Sequence, residues 1–302
     1  MKVLILMATY NGEKYIKEQI LTIINQNAIV VDLLVSDDDS SDATVQVVQN
    51  LINEGHPIRL IQRPVGTGSA ARNFVSMFQL VENEDDYDFF AFADQDDVWL
   101  PNKLSRATEC LINTQSALYF SNLVMWEQSG KKSVIDKSHC QKKYDYLFEG
   151  GSAGCTYVFN KKLFKLLRAK IASLNYLNWK TFSHDWLVYF IARNNDFKVC
   201  NDNEALILYR IHKSNVHGHL NSKSFSSIRA RIKLIRDGWY IENINGFIPL
   251  LAEGSDEYRI YAYYKRNLIY RLYILSRYNF KLMRSSKKFI QFFILSLLPI
   301  KN

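Results

Sequence analysis

Short strand-like runs and segments of helical periodicity alternate along the first hundred residues. Four runs have the length of strands: 3–7, 32–36, 58–61 and 88–93. Three intervening segments repeat apolar residues at helical spacing: 15–24, 44–53 and 70–81. Pro101 stands at the favoured first position of a fourth helix, whose Leu104, Ala107 and Leu111 would face inward. This alternation is typical of an α/β fold with a mostly parallel, doubly wound sheet.

The fourth run ends abruptly in carboxylates, in the stretch "FFAFADQDDVWLP" at 89–101. Like charges after a buried strand are unfavourable unless a cation or a ligand compensates them. In a parallel sheet, ligands bind beyond the carboxyl ends of the strands. Three polar segments follow predicted strands: "ATYNGE" (8–13), "DDDSSD" (37–42) and "DQDD" (94–97). We therefore expect them on one rim, where two acidic loops would hold a divalent cation or a ligand rich in hydroxyl and amide donors.

The segment at 94–97 has the chemistry of a metal site. Asp94 and Asp96 point the same way if the segment is extended, because residues two apart share a side. Their hard oxygen donors suit Mg²⁺ or Mn²⁺, and a metal that bridges a diphosphate neutralises a departing nucleoside diphosphate. The alternative is a solvated acidic turn or a helix start that favours carboxylates. Its position after a fourth strand, beside a second acidic loop, favours the metal site.

The composition allows a large core and shows no membrane span. The chain has 302 residues, 48% of them hydrophobic and 14% aromatic, which fits one large α/β domain or a domain with an appendage. The four cysteines show neither a C-x-x-C pair nor a disulfide-like spacing, so we expect a reducing, cytoplasmic environment. Neither a signal-peptide pattern nor a run of about 18 apolar residues occurs.

The last third of the chain is strongly basic. Residues 1–220 contain 23 Lys and Arg against 25 Asp and Glu, a net charge of −2, whereas 221–302 contain 15 against 5, a net charge of +10. This shift predicts a boundary near 217–225, between a domain at 1–220 and a basic helical region at 221–302. The end, "SKKFIQFFILSLLP", predicts an apolar helix of about eleven residues.

This region has three candidate partners. The basic region would contact an anionic membrane surface, its own domain or another subunit of a homo-oligomer. Nucleic acid would also suit the charge, but no nucleic-acid-binding motif is present, so no such partner is expected.

Several motifs occur in a fixed order: Thr9-Tyr10-Asn11-Gly12, then "SDDDSSDAT" at 36–44, then Gly68 with Ala71-Arg72-Asn73, then "DQDDVW" at 94–99. This order resembles glycosyltransferase family 2, the inverting enzymes of the GT-A fold. The first and last motifs are most similar to bacterial rhamnosyltransferase-like members. The resemblance covers about residues 1–220. It departs at Ala8, where proline is common, and at Asp39, where glycine is common.

The resemblance implies a role for each matching residue. Nucleotide or donor binding falls to Thr9, Tyr10, Asn11, Asp37, Asp38, Arg72, Asp94, Gln95 and Gly154. The ligands of Mn²⁺ or Mg²⁺ would be Asp96, Asp94 and His212, the last in "LYRIHKSNVHG" at 208–218. Asp185 in "SHDWLVYFIA" matches the catalytic base, with His184 in place of the usual glutamate. Helix capping is the alternative for Asp185, and Asp97 has the alternative of a helix-start acid.

The implied function is metal-dependent transfer of a sugar from a nucleotide-sugar donor. The donor would be dTDP-rhamnose or a UDP-hexose, and the acceptor a hydroxyl of a bacterial surface glycan or a lipid-linked saccharide. The expected location is cytoplasmic, with peripheral contact to the inner face of the cell membrane. Two alternatives are a phosphatase of the haloacid dehalogenase type, since "FFAFADQDDV" also fits strand-D-x-D-x-V, and a non-catalytic sugar-nucleotide-binding scaffold. The phosphatase is disfavoured because its motif usually lies on an early strand, whereas three strand–helix units come first here.

Overall fold

A computed structural model describes residues 1–212 and 225–299, which form a nine-stranded sheet with helices on both faces. The strands are β1 (Lys2–Thr9), β2 (Val30–Asp37), β3 (Ile58–Gln62), β4 (Phe89–Ala93), β5 (Val98–Trp99), β6 (Leu118–Glu127), β7 (Lys132–Ile135), β8 (Val158–Asn160) and β9 (Val199–Ile211). The helices are α1 (Ile16–Ile24), α2 (Thr44–Asn53), α3 (Ala70–Met77), α4 (Lys103–Thr114), α5 (Lys161–Ala172), α6 (His184–Asn194), α7 (Phe225–Arg236), α8 (Trp239–Phe247), α9 (Asp256–Arg266), α10 (Leu268–Tyr278) and α11 (Ser286–Ser296).

The strand order is β3-β2-β1-β4-β8-β6-β9-β5, with β7 paired to β6. Strand β1 is parallel to both β2 and β4, and β2 is parallel to β3. The short strand β8 is antiparallel to both β4 and β6, and β9 is parallel to β6. Strands β6 and β9 therefore run in the same direction as β4, and the carboxyl ends of β1, β2, β4 and β9 share one rim.

This architecture confirms the predicted α/β fold and its four parallel strands. Helix α4 begins later than predicted, because Pro101 and Asn102 form a turn in which Lys103 N donates to Leu100 O at 3.0 Å. Helix α3 ends at Met77, short of the predicted residue 81. The predicted helical character of the C-terminal region is confirmed by α7 to α11.

The apolar runs of the parallel strands are buried on both faces. In β1, Leu4 and Leu6 belong to one hydrophobic cluster, while Val3, Ile5 and Met7 belong to a second cluster on the opposite face. Residues that alternate along a strand point to opposite faces, so a continuous apolar run requires cover on both sides. Helices supply that cover, and the rim of the sheet is left for polar loops.

The C-terminal helices pack on the cluster that contains Leu4 and Leu6. Phe247 of α8 stacks on Phe190 of α6 at 4.3 Å between ring centroids, and it lies 5.0 Å from Trp186 and 4.6 Å from Trp179. The neighbouring Gly246 makes this approach possible, because a Cβ there would lie 2.4 Å from the ring of Trp179. The core is thus continuous across the predicted boundary. The boundary itself, near 217–225, falls largely outside the described residues and stays a prediction.

Helix α11 coincides with the predicted eleven-residue apolar helix. Its inner face buries Phe289 and Phe292, while Ile290 and Ile294 are more than half exposed. The buried Arg271 of α10 donates to Tyr264 O at 3.1 Å and to Ser296 O at 3.0 Å. It thereby joins the last turns of α9 and α11, where free carbonyls and the helix dipole favour a cation. Within 1–212 and 225–299, no helix combines the length and apolarity that crossing a bilayer requires.

Replacing Phe247 tests whether the C-terminal helices fold together with the sheet. Phe247→Ala should lower the free energy of unfolding by about 3–5 kcal/mol, because a buried aromatic ring is lost and a cavity is left. Urea unfolding followed by circular dichroism measures the change. The control is Ile269→Ala, since Ile269 is 77% exposed on α10 and its loss should cost less than about 1 kcal/mol. Two separate transitions, only one of them shifted by Phe247→Ala, would contradict a shared core.

Candidate active site

Loops from sequence-distant parts of the chain meet at the rim defined by β1, β2, β4 and β9. Thr9 and Asp37 are paired neighbours at the carboxyl ends of β1 and β2. Asp94 directly follows β4, and His212 directly follows β9. The structure thus brings together the three polar loops that the sequence predicted on one rim, and it adds the end of β9.

The Gln95 side chain fastens the loop after β1 to the loop after β4. Its Oε1 accepts hydrogen bonds from Thr9 Oγ1 at 2.6 Å and Tyr10 N at 2.9 Å, and its Nε2 donates to Tyr10 O at 2.9 Å. Gly12 approaches the same amide so closely that a Cβ would lie 2.2 Å from Oε1. Both polar atoms of the Gln95 amide are therefore engaged within the protein. This arrangement indicates a positioning role, in which Gln95 presents the exposed Tyr10 at the rim.

The acidic loop after β2 is ordered by its own carboxylates. Asp37 accepts from Ser40 N at 3.0 Å and from Ser40 Oγ at 2.6 Å. Asp38 accepts from Thr67 N at 2.7 Å and from Thr67 Oγ1 at 3.0 Å. Asn11 N donates to Ser40 Oγ at 2.9 Å, which connects this loop to the loop after β1. The structure thus joins Asp37 and Asn11 through Ser40 at the rim, and Asp38 beside them binds Thr67.

Asp39 keeps a backbone conformation that glycine adopts freely. Its φ is 69°, in the left-handed region, where aspartate and asparagine are tolerated better than other residues with a Cβ. Asn11 on the adjoining loop has a φ of 48°. The departure from the family's common glycine at position 39 therefore changes the residue without removing the turn that it serves.

The D-x-D segment meets the end of β9 through Asp96. The Asp96 carboxylate oxygen Oδ2 lies 2.6 Å from His212 Nε2. Arg210 Nε donates to Asp96 O at 2.9 Å, and Arg210 N donates to Asp97 Oδ1 at 3.2 Å. Arg210 was not among the site residues predicted from the sequence. The signal was present, because Arg210 lies two residues before His212, and side chains two apart in extended chain share one side.

Ionisation of all the carboxyl groups in this segment would place more negative charge here than the surroundings compensate. Burial, followed by the charges of Asp96 and Asp185, raises the pKa of Asp94 to about 7. Burial, followed by the charges of Asp94 and Asp96, raises the pKa of Asp97 well above its usual range. A cation at Asp94 and Asp96 would relieve this excess, so the donor set fits a divalent ion.

A second group of possible ligands lies deeper. One ligand atom each of Asp94, Asp97 and Cys155 lies within 4.8 Å of the others, in the described part of the chain. Asp97 and Cys155 are 1% and 0% exposed, so this group is closed to a substrate. Mg²⁺ and Mn²⁺ prefer oxygen ligands to a thiol. The predicted set of Asp94, Asp96 and His212 is therefore the better candidate for a metal that must also contact a diphosphate.

A buried lysine lies behind the D-x-D segment. Lys103 is 2% exposed, with Nζ 3.6 Å from the ring centroid of Trp99, and burial lowers the pKa of Lys103 to about 7. Its positive charge is felt by the carboxyl of Asp97 and by the thiol of Cys155. The burial of Lys103 was not predicted, because a lysine in the first turn of an amphipathic helix is usually exposed.

Asp185 lies in the first turn of α6, where Ser183 occupies the N-cap position. Its Oδ1 accepts from Trp186 N at 2.7 Å and also from Ser183 Oγ. The preceding His184 stacks on Phe74 at 4.2 Å between ring centroids. Gly154 lies against that imidazole, since a Cβ at Gly154 would be 2.3 Å from His184 Nε2. Gly154 thus allows the turn at Gly154–Thr156 to pass directly beside the start of α6.

Arg72 is joined to the chain that precedes α6. Its Nη2 donates to Leu177 O at 2.8 Å, and its Nη1 lies 3.5 Å from Thr67 O. Among the described residues it forms no ion pair with the D-x-D carboxylates. Its predicted contact with the donor stays a prediction.

An α/β sheet whose rim carries a D-x-D segment, a histidine and a carboxylate at a helix start is the arrangement that the resemblance to GT-A glycosyltransferases predicted. The sequence model described as "Glycosyl transferase family 2" matches residues 4–171, and the chain belongs to this family. The chain is 32% identical over 250 residues to the dTDP-rhamnosyl transferase RfbG of Shigella flexneri, which covers 82% of this chain and 86% of that protein. It is 26% identical over 243 residues to an Escherichia coli protein, the UDP-Glc:alpha-D-GlcNAc-diphosphoundecaprenol beta-1,3-glucosyltransferase WfgD, covering 79% and 86%.

Solved structures show the same fold. S. aureus TarS in complex with UDP-GlcNAc matches with a TM-score of 0.58 and 16% identity, covering 93% of this chain and 82% of that chain. The mannosyltransferase PcManGT from Pyrobaculum calidifontis, in complex with GDP-Man and Mn²⁺, matches with a TM-score of 0.56 and 14% identity, covering 91% and 74%. Family and fold together exclude the phosphatase alternative.

Proposed function

We propose that this glycosyltransferase transfers a sugar, with inversion, from dTDP-rhamnose or a UDP-hexose to a hydroxyl of a bacterial surface glycan or lipid-linked saccharide. The observation that carries the proposal is the approach of Asp94, Asp96, His212 and Asp185 to one rim. The resemblance to a dTDP-rhamnosyl transferase along most of the chain supports rhamnose as the first sugar to test.

The donor would lie across the ends of β1, β2 and β4. Asp37 and Thr9, at paired positions on this rim, would face the nucleotide base, because a carboxylate accepts the N3–H of uracil or thymine. Asp94, Asp96 and His212 would hold Mg²⁺ or Mn²⁺. A divalent ion there supplies positive charge to the diphosphate as it departs.

Asp185 would act as the general base. Inversion requires the acceptor hydroxyl to attack the anomeric carbon from the side opposite the diphosphate, and its proton must leave as the bond forms. Among the residues that the structure describes, Trp186 N and Ser183 Oγ both donate to Oδ1 of the Asp185 carboxylate, so Oδ2 would be the atom that faces the acceptor. The backbone N–H of Trp186 at the start of α6 fixes the direction of the carboxylate.

Removal of the metal ligands should separate nucleotide binding from folding. We expect Asp96→Ala to abolish Mn²⁺-dependent binding of dTDP or UDP and Asp94→Ala to weaken it, because fewer carboxylates compensate the metal and the diphosphate. Isothermal titration with Mn²⁺, and again with EDTA, measures the effect. Asp86→Ala is the control, since Asp86 is exposed before β4, at the other end of that strand. Parent-level, metal-dependent binding by the Asp94 and Asp96 double variant would show that the metal lies elsewhere.

Neutralising Asp185 should affect chemistry and not donor binding. Asp185→Asn keeps the shape and removes the basicity, so sugar transfer should fall by roughly 10² to 10⁴ while donor affinity stays within a few-fold. A sugar-transfer assay measures the loss of turnover, and a donor titration measures the affinity. Asp196→Asn is the matched control, because Asp196 is exposed just beyond the far end of α6. Near-parent turnover in Asp185→Asn would reduce Asp185 to a helix-capping residue, and absence of turnover in the parent would favour the scaffold alternative.

The outer face of the C-terminal helices suits an anionic membrane surface. On α11, Ile290 and Ile294 are 52% and 58% exposed at a spacing of four, and Lys287 lies three residues before Ile290. On α10, Ile269 is 77% exposed. Apolar side chains with nearby lysines are the two signals of an interfacial helix. Peripheral membrane contact, and with it the cytoplasmic location, belongs to this proposal.

A double substitution tests the membrane contact. Ile290→Glu with Ile294→Glu should weaken sedimentation with anionic liposomes by about tenfold or more, because apolar burial is lost and negative charge is added. Nucleotide binding should be unchanged. The control is Ile112→Glu, whose side chain is 54% exposed on α4. If the control weakens sedimentation equally, or the double variant does not weaken it, the outer face of α11 is not the contact.

A further inference from the structure

A group of basic side chains surrounds the start of the loop at 149–156. Arg284, just before α11, donates from Nη2 to Gly150 O at 2.5 Å and from Nη1 to Lys137 O at 3.4 Å. Lys288, in the first turn of α11, lies 3.1 Å from Glu149 Oε2. Lys137, Arg284 and Lys288 therefore meet where the loop begins, and two of the three come from the C-terminal region.

The loop at 149–156 leads from these cations past Asp185 to the D-x-D segment. A Cβ at Gly150 would lie 3.5 Å from Trp186 Cβ, and Gly154 lies against His184, so the loop touches both chain neighbours of Asp185. Cys155 at its far end is next to Asp94. Six residues span at most about 22 Å, which bounds the distance from Glu149 to Cys155. The predicted base thus lies between the acidic and the basic group.

The basic group carries more positive charge than its partners neutralise. Arg193 lies 3.1 Å from Asp145, and Arg284 lies 3.8 Å from Asp145 and 3.4 Å from Glu149. With Lys288 and Lys137, four cations thus face three carboxylates, since Asp185 also acts on Lys137. Within 1–212 and 225–299, Lys137 Nζ makes no ion pair, although the side chain is partly buried. Burial, then the charges of Lys288 and Arg284, lower the pKa of Lys137, and the charges of Asp185 and Glu149 oppose this shift.

We propose that Lys137 and Lys288 form an anion-binding subsite for a phosphate or diphosphate group of the acceptor. The inference rests on the proposed function, because the acceptor hydroxyl must reach Asp185 while the donor diphosphate lies at Asp94 and Asp96. An anion on the far side of Asp185 therefore belongs to the rest of the acceptor. Lysines bind phosphate as point charges. Arg284 has its guanidinium engaged by carbonyls and carboxylates, and so it positions the loop without contacting the ligand.

The probe is inorganic pyrophosphate, titrated into the full chain in EDTA so that the metal site does not contribute. We expect Lys137→Gln with Lys288→Gln to weaken pyrophosphate binding at least tenfold. The matched control, Lys281→Gln with Lys287→Gln, removes two exposed lysines from the same segment and should change it less than twofold. Lys288→Gln alone changes one partly exposed side chain and gives an intermediate loss even if the double variant folds poorly.

Three outcomes overturn the inference: no pyrophosphate binding by the parent, equal weakening in the control, or no weakening in the Lys137 and Lys288 variants. A parallel titration with glucuronate separates the sources of the anion, since tighter, Lys137-dependent binding of glucuronate would replace phosphate by a carboxylate. Mn²⁺-dependent binding of dTDP or UDP is measured on every variant and should stay within twofold of the parent. If the parent binds no nucleotide, the proposed function fails; if nucleotide binds and pyrophosphate does not depend on the two lysines, only the subsite fails.

Discussion

The site depends on one constraint, the shared direction of β1, β2, β4 and β9. Because these strands are parallel, loops that are far apart in the sequence end at one rim. The short antiparallel strand β8 makes this possible for β9, since two reversals restore the direction of β4. Gathering carboxylates at the end of a buried sheet costs desolvation and repulsion. Arg210 and His212 from β9 compensate part of that cost, and the rest is available to a ligand.

The position of Asp185 depends on the loop at 149–156. Its glycines at 150 and 154 let the backbone lie against Trp186 and His184, on either side of Asp185. The beginning of the loop is held by Arg284, which is buried together with Asp145. A buried ion needs its full set of partners, because loss of one leaves an uncompensated charge. The position of the predicted base is thereby tied to the C-terminal region, and the two parts of the chain work as one unit.

Much of the rim could be predicted from the sequence. Continuous apolar runs identify strands buried on both faces, the spacing of Asp94 and Asp96 indicates a metal site, and the family resemblance implies His212 as a further ligand. The burial of Lys103 and Arg284 could not be predicted, because long charged side chains usually reach solvent and only the tertiary partners decide otherwise. The pairing of β6, β8 and β9 was likewise absent from the pattern, since the pattern of one strand does not name its neighbour. The positive φ of Asp39 could be expected from the family, because glycine is common at that position.

The net charge of a segment is not the charge that it presents to solvent. Of the basic residues in the C-terminal region, Arg271 and Arg284 are each only 6% exposed and bind carbonyls or carboxylates inside the protein. The apolar residues of α11 also differ in exposure, since Phe289 and Phe292 are buried and Ile290 and Ile294 are exposed. A helix of eleven residues is about 16 Å long and rigid. Since its first turn reaches Glu149 through Lys288, any contact made by its outer face would be fixed in position relative to the catalytic rim.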